Sequence, residues 1–412
     1  MAAAPFSITN GISRNLLKPG IISLRTHIQS ELSDLRRAPI LLITSRSQSS
    51  PNLKTVSDSC QLIQFTFGQQ FCLRTVPTVI SSAFPTKESL QETLELMRRT
   101  GASTVVSVGS GAAMDLAKAV QANHEEKRNN GVNNNRLILV PTTYGGVLAA
   151  GSSHSLLLDN ENETLVPYPR NNQNIDTGNI PAITTVSTLD YNKYMEPVND
   201  AKFDELLYAV SAILLDSGLR KRSHPTLSML LQKTIDLISL RNNNSWSDNT
   251  NCSEATTTTL SEAMPLITNL LYQSAGLLSC GIGAGDFEED DRSITIALGS
   301  SLIPTIFPET HPLSFIAGLI PGLCHYHSDI STRDQSNTDV KKRLQKLVEL
   351  LQQRPPEGGM NPPPSLETRD ESLKGFSIPD MALSHIQSNQ AVWEPFDVPD
   401  DVLMNVLQHS LK

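Results

Sequence analysis

The sequence predicts two units in one chain: an α/β N-terminal domain built on a parallel sheet, residues 1–185, and an all-α C-terminal domain, residues 186–412. Three observations carry this. Between Ile21 and Ile183, short β-branched apolar runs alternate with helical patterns, and strands separated by helices specify a parallel sheet. After Asp204, long segments with helical apolar spacing follow one another with few strand candidates. The length of 412 residues exceeds what one hydrophobic core serves.

The strand candidates are ILLIT at 40–44, TVVSVG at 104–109 and LILVP at 137–141. Glu88–Arg99 reads as a helix, because Leu90, Leu94 and Met97 recur at helical spacing and turn one apolar face to the sheet. In the second half, DELLYAVSAILLDSG from Asp204, HPTLSMLLQKTIDLISL from His224 and DVKKRLQKLVELLQQ from Asp339 read as helices. The polar inserts at 129–135, 242–259 and 355–364 carry too little apolar surface to order themselves and are expected as surface loops.

Composition narrows the function. Hydrophobic residues make up 39% and charged residues 18%, a globular balance, and no apolar run reaches the roughly 18 to 20 residues of a spanning helix. No membrane partner is expected. The net charge of −9 with scattered Lys and Arg argues against a nucleic-acid partner. Cys60, Cys72, Cys252, Cys280 and Cys324 form no CxxC pair and read as reduced, mostly buried thiols. Arg14, Lys18 and Arg25 precede the first acid, Glu31. That leader composition leaves mitochondrial import open beside a cytoplasmic location.

The strongest local pattern runs from Thr104 to Val120: a β-branched strand, the turn Gly109-Ser110-Gly111, then a helix from about Ala112. Glycines admit a pyrophosphate to the backbone, and the helix start supplies amides and the positive dipole end. The bland alternative is a plain tight turn, since the third glycine of a dinucleotide fingerprint is missing. The second pattern, LILVPTTYGG from Leu137, is a buried strand running into Thr142, Thr143 and a flexible loop. In open parallel sheets, ligands gather beyond the carboxyl ends of strands, where these threonines stand.

Together, the turn Gly109–Lys118, which keeps Asp115 and Lys118, and the later PTT resemble the iron-containing (group III) alcohol dehydrogenase superfamily. That superfamily includes glycerol dehydrogenases, maleylacetate reductases and, more distantly, dehydroquinate synthases. Ser110 replaces the middle glycine of the family's triplet. KPGIISL with ILLITSRS resembles the family's first strand pair, and NQAVWEPFDVPDDVLMNVLQHSL resembles its closing helix. The resemblance implies a Rossmann-like NAD(P)-binding domain, a helical metal and substrate domain in a dehydroquinate synthase-like architecture, and a homodimer. It implies that Gly109, Ser110, Gly111, Thr142 and Thr143 hold the phosphates and nicotinamide, with Asp115 and Lys118 ordering the turn.

Many family members end the first strand in an Asp that binds the adenosine ribose. This chain has Ser45 and Arg46. Losing that carboxylate and gaining a guanidinium suits a 2′-phosphate, so NADP(H) is expected to be accepted. TSRSQ and PTTYGG are nearer the maleylacetate reductases, the branch that works without a metal.

Metal-dependent members hold iron or zinc with an Asp, a His four residues on along the same helical face, and two further His. Here Asp204 is followed by Tyr208 in the histidine's place, His311 falls in the second ligand segment, and Ala297 stands where a further His belongs. Asp204 and His311 are the metal candidates, and His311 is the candidate catalytic proton donor. His325 and His327, at i and i+2, point to different helical faces and read as exposed or capping residues. The loop after PTTYGG and the VSTLD segment at 186–190 depart from the family pattern at the substrate pocket. The expected activity is an NAD(P)-dependent interconversion of a small alcohol and a carbonyl. The alternative is an inactive nucleotide-binding relative with a degenerate metal site.

Overall fold

The computed structural model describes residues 39–45, 50–70, 75–80, 83–126, 136–152, 155–159, 164–168, 182–185, 196, 198–219, 225–243, 260–278, 293–331, 339–353, 359–366, 377–388 and 400–411. Outside these lie KPGIISL, Arg46, VSTLD and the NQAVWEPF run.

The first half alternates as predicted, through β1 (Ile40–Ser45), α1 (Ser50–Phe65), β2 (Thr75–Ile80), α2 (Lys87–Thr100), β3 (Thr104–Gly109), α3 (Gly111–Glu126), β4 (Arg136–Pro141) and α4 (Tyr144–Gly151). A hairpin of β5 (Ser155–Asp159) and β6 (Thr164–Tyr168) precedes β7 (Ala182–Thr185). The parallel sheet has the order β2-β1-β3-β4-β7, and β5 pairs with β6 antiparallel in a separate sheet.

The near-continuous apolar strands follow from burial on both faces of the sheet. Alternate residues Ile40, Leu42, Val106, Val108, Ile138 and Val140 pack on Ile63 and Phe67 beside α1. The intervening Leu41, Ile43, Val105, Leu137 and Leu139 join the larger core with Met114 and Ala117 of α3. The chain turns outward from β1 to β2, then crosses back to β3. The carboxyl ends of β1 and β3 therefore flank the topological switch point, where a crevice forms in such sheets. Gly109 pairs in register with Pro141, so β3 and β4 end level there.

The second half is helical among the described residues: α5 (Asp200–Leu219), α6 (Pro225–Asn243), α7 (Leu260–Ala275), α8 (Ile294–Leu302), α9 (Pro312–Gly318), α10 (Ile320–Ser331), α11 (Asp339–Gln352), α12 (Ile378–Ser388) and α13 (Asp400–Ser410). α5 is buried almost all round, from Phe203 to Ser217, with α6, α7, α9 and α10 packed against it. A helix apolar on every side belongs at the centre of a bundle. α4 packs on both α3 and α7, and so joins the two halves.

Two loop expectations change. The stretch after LILVPTT is helix α4, because Thr143 caps it: the Thr143 Oγ1 accepts the Gly146 N–H at 3.0 Å. Within the 355–364 insert, Met360 is buried and the Asn361 backbone N–H donates to buried Asp204, so this piece docks on the core. The Asp204 carboxylate beneath it supplies the anchor that its own composition lacks.

Candidate functional site

Gly109 closes β3 with φ of 142°, a conformation that glycine alone adopts at little cost. A Cβ there would collide with the Ser45 Oγ. That Oγ accepts the Ser110 N–H at 2.8 Å. The Gly109 carbonyl accepts the Thr142 N–H at 2.9 Å and lies so near Gly146 that a Cβ there would come within 2.7 Å. Gly111 and Gly145 also approach, since a Cβ on Gly111 would sit 3.3 Å from the Gly145 oxygen. Glycines here let two helix starts meet at the level ends of β3 and β4.

α3 and α4 thus begin side by side. The amides of Gly111 to Ala113 precede the helix's first backward hydrogen bond, from Met114 N–H to the Ser110 oxygen at 3.2 Å, and by helix geometry lack intrahelical acceptors. With the positive ends of the helix dipoles they form a setting for an anion. The Thr142 Oγ1 is buried at the same point and meets no partner among the described residues. A buried hydroxyl without a protein partner has hydrogen-bonding capacity to spare.

Gly109, Ser110, Gly111, Thr142, Thr143 and Ser45 therefore gather as the sequence suggests, with altered roles. Ser45 is buried and spends its oxygen on the turn. Thr143 caps α4. Asp115 and Lys118 are paired at 3.0 Å, and the Lys118 ammonium donates to the Ala149 and Ser152 carbonyls at 2.7 and 3.3 Å. A cation at the carboxyl end of α4 is where the dipole favours it. Burial raises the Asp115 pKa, opposed by the charge and hydrogen bond of Lys118. This pair ties α3 to the far end of α4, so it orders the turn only by fixing the two helices. Arg46 is outside the described residues.

His311 reaches the same place from the helical half. It caps α9, its Nδ1 accepting the Leu313 N–H at 3.2 Å, which leaves the ring proton of the neutral form on Nε2. The ring edge lies on α4: a Cβ on Gly145 would fall 3.1 Å from both Cε1 and Nε2. Crowding of the ring by protein, then the charge of Lys202, lowers its pKa, while Glu196 and Glu205 pull upward. The residue keeps an exposed edge, and solvent moderates the shift.

Four residues that the sequence did not single out complete the surroundings. Lys202 holds Glu205 at 3.0 Å and approaches Glu196 at 4.0 Å. Ser314 donates to Glu205 at 2.5 Å. The Glu196 N–H donates to the Thr142 carbonyl at 3.2 Å. These contacts run from the end of β4 through α5 to α9 and back to His311. Their one sequence signal is the i, i+3 spacing of Lys202 and Glu205 on α5, which places them on a common face but on no particular surface.

Asp204 faces elsewhere. It is 1% exposed, and it accepts from Arg241 Nε at 2.9 Å and Nη2 at 3.2 Å, and from the Asn361 N–H at 2.9 Å and Nδ2 at 2.7 Å. Tyr208 donates to the Asn361 carbonyl at 2.7 Å. Burial, then the neighbouring Asp204 and Cys324, pushes its phenol far above the ordinary tyrosine value. Asp204 turns to α6 and the Asn361 segment, His311 to α4. The two metal candidates do not converge, and among the described residues no three His, Cys, Asp or Glu side chains gather in metal-holding geometry. The donor set does not fit an iron or zinc ion. His327 also departs from its expected exposure: it is partly buried and its Nε2 lies 2.7 Å from the Leu215 oxygen. His325 is exposed and stacks on His409.

Residues 23–165 match the family profile of the iron-containing alcohol dehydrogenases. Among curated proteins no sequence matches this one. Solved structures share the fold across nearly the whole chain. Maleylacetate reductase from Rhizobium sp. strain MTP-10005 superposes with a TM-score of 0.59 at 15% identity, covering 99% of each chain. The iron-containing alcohol dehydrogenase of Thermotoga maritima gives 0.56 at 15% identity, covering 94% of this chain and 96% of the other. A halo-thermophilic archaeal alcohol dehydrogenase from a Red Sea brine pool gives 0.58 at 16% identity, covering 96% and 98%. At such identities the likeness fixes the fold. Among the described residues no helix is long and apolar enough to cross a membrane.

Proposed function

We propose that this chain, which resembles the iron-containing alcohol dehydrogenases in sequence over residues 23–165 and in fold over nearly its whole length, is an NAD(P)-dependent oxidoreductase. Its reaction is the interconversion of an alcohol and a carbonyl on a small molecule. The observation that carries the reading is the meeting of three features at Gly145: the glycine turn after β3, the α4 start after β4, and the ring of His311.

The nicotinamide nucleotide, when bound, supplies or accepts the hydride. The residues present suit it. Gly109 and Gly111 carry no side chains on the turn, the amides of Gly111 to Ala113 would hold the pyrophosphate, and the Thr142 hydroxyl has unused capacity at the strand end. His311 presents a neutral ring with its Nε2 edge beside Gly145, where Nε2–H would donate to the oxygen that gains charge when a carbonyl is reduced. In the oxidative direction the same N–H binds the substrate oxygen, and the hydroxyl proton passes to solvent water, to which His311 is exposed. Lys202, held by Glu205 and Glu196, adds fixed positive charge near that oxygen's path. No step is assigned to a divalent ion.

Acceptance of NADP(H) rests on Arg46 alone, since Ser45 is committed to the turn. Titration of the purified protein with NADPH and NADH, followed by nicotinamide fluorescence, tests the reading. Saturable binding of either supports it and licenses a substrate screen. Binding without turnover would leave a nucleotide-binding relative that has lost its chemistry, and binding of neither would sink the reading.

A further inference from the structure

The resemblance to metal-dependent alcohol dehydrogenases makes the Asp204 carboxylate a candidate metal ligand. We infer that in this chain the Arg241 guanidinium occupies that carboxylate as a built-in cation, so that α5, α6 and the Asn361 segment are joined without a divalent ion.

The carboxylate is engaged on both oxygens. Asp204 receives four hydrogen bonds: one on Oδ1 from Arg241 Nε, and three on Oδ2 from Arg241 Nη2, Asn361 N–H and Asn361 Nδ2. The guanidinium alone bridges both oxygens, as a divalent ion would. The pair is enclosed, with Asp204 1% and Arg241 3% exposed, and Asp200 adds a second carboxylate 3.7 Å from Arg241 Nη2. A divalent cation at Asp204 would face a guanidinium across a few ångströms of poorly screened space.

The neighbours agree. Tyr208, one turn along α5 where a ligand histidine would stand, spends its hydroxyl on the Asn361 carbonyl. Asn242, next to Arg241, accepts the Met360 N–H at 3.2 Å. Together these contacts hold residues 360–361 to α5 and α6. The planar fork of arginine suits this use, because it binds both oxygens and stays charged at every accessible pH.

The test needs no substrate, so its outcome is separate from that of the oxidoreductase reading. The full chain is purified, its iron and zinc are measured, and its Tm is recorded with a chelator and with added Zn²⁺. The inference expects no stoichiometric metal and a Tm that neither addition moves. One ion per chain, or a Tm lowered by the chelator, would overturn it. A variant series supplies the second arm. Arg241→Met strands a buried carboxylate and should lower Tm by several degrees, while adding Asp204→Asn to it should restore part of the loss. An Arg241→Met protein as stable as the parent would also overturn the inference.

Discussion

Ser45 and Ser110 are joined by a 2.8 Å hydrogen bond from the Ser110 N–H to the Ser45 Oγ, across 65 residues of chain. This bond pins the end of β1 to the middle residue of the glycine turn at the switch point of the sheet. It also consumes one amide of that turn, leaving the later ones for an anion. Ser45→Ala should therefore loosen the turn without closing it. The expected result is a cofactor Kd raised about fivefold to tenfold, the loss of one ordinary hydrogen bond of roughly 1 kcal/mol. Fluorescence titration reads it, and an unchanged Kd would show that the bond is incidental.

Gly109→Ala is a harsher change at the same point. The new Cβ meets the Ser45 Oγ, and φ of 142° strains any side chain. Strain of this kind costs on the order of 1–3 kcal/mol, and relief can come only by moving the turn. Nucleotide binding should be lost while the far-UV circular dichroism spectrum stays native. Tight binding by this variant would show that the turn does not hold the nucleotide.

Much of the fold was legible because its signals are local. The strand TVVSVG ends at Gly109 as read, and α2 runs from its Thr86 cap to left-handed Gly101. α4 was missed because YGGVLAAG carries three glycines and a weak pattern, and Thr143, expected at the cofactor, also caps it. The site was half legible. The glycine turn, Thr142 and His311 do meet, since motif spacing encodes them. Arg241, Asn361, Lys202 and Glu205 were invisible, because each works through a partner on another element. Asp204 is the instructive case: its identity and helical position matched a ligand, and only the residue across from it, 37 positions away, decides its role.

His327 makes stability depend on pH. Burial lowers its pKa from the ordinary histidine value, against the Leu215 hydrogen bond and Asp216. The folded form therefore resists a proton that the unfolded chain accepts. Its contribution is intact above about pH 6.5 and is lost as pH falls below that value. Urea midpoints should drop between pH 7.5 and 5.5. His311 shifts in the same direction, so His327→Gln should reduce the drop rather than abolish it. Equal drops in parent and variant would remove His327 as the cause.

Burial pushes the Cys324 thiol up to about 12 and the Cys60 thiol up to about 11. Thiolate is the reactive form, so at pH 8 both should resist iodoacetamide in the native protein and label fully in guanidinium chloride. Peptide mass spectrometry resolves the two sites. Rapid native labelling at Cys324 would mean that α10 opens readily.

His311 carries two duties that one substitution separates. Its Nδ1 caps α9 and its Nε2 edge faces α4 at Gly145. Asparagine is among the best N-cap residues, so His311→Asn should keep α9 and leave Tm nearly unchanged, whereas His311→Ala should lose the cap as well, at about 1 kcal/mol. Both remove the ring that the proposed reaction uses as donor to the reacting oxygen. Turnover should fall by about 10²- to 10⁴-fold in each, with cofactor Kd little altered, because the phosphate turn is untouched. Comparing kcat, Kd and Tm across the two variants distinguishes the roles. If His311→Asn retains full kcat, the histidine is a helix cap that happens to lie beside the cofactor turn, and the proton donor must be sought in the Lys202 and Glu205 group.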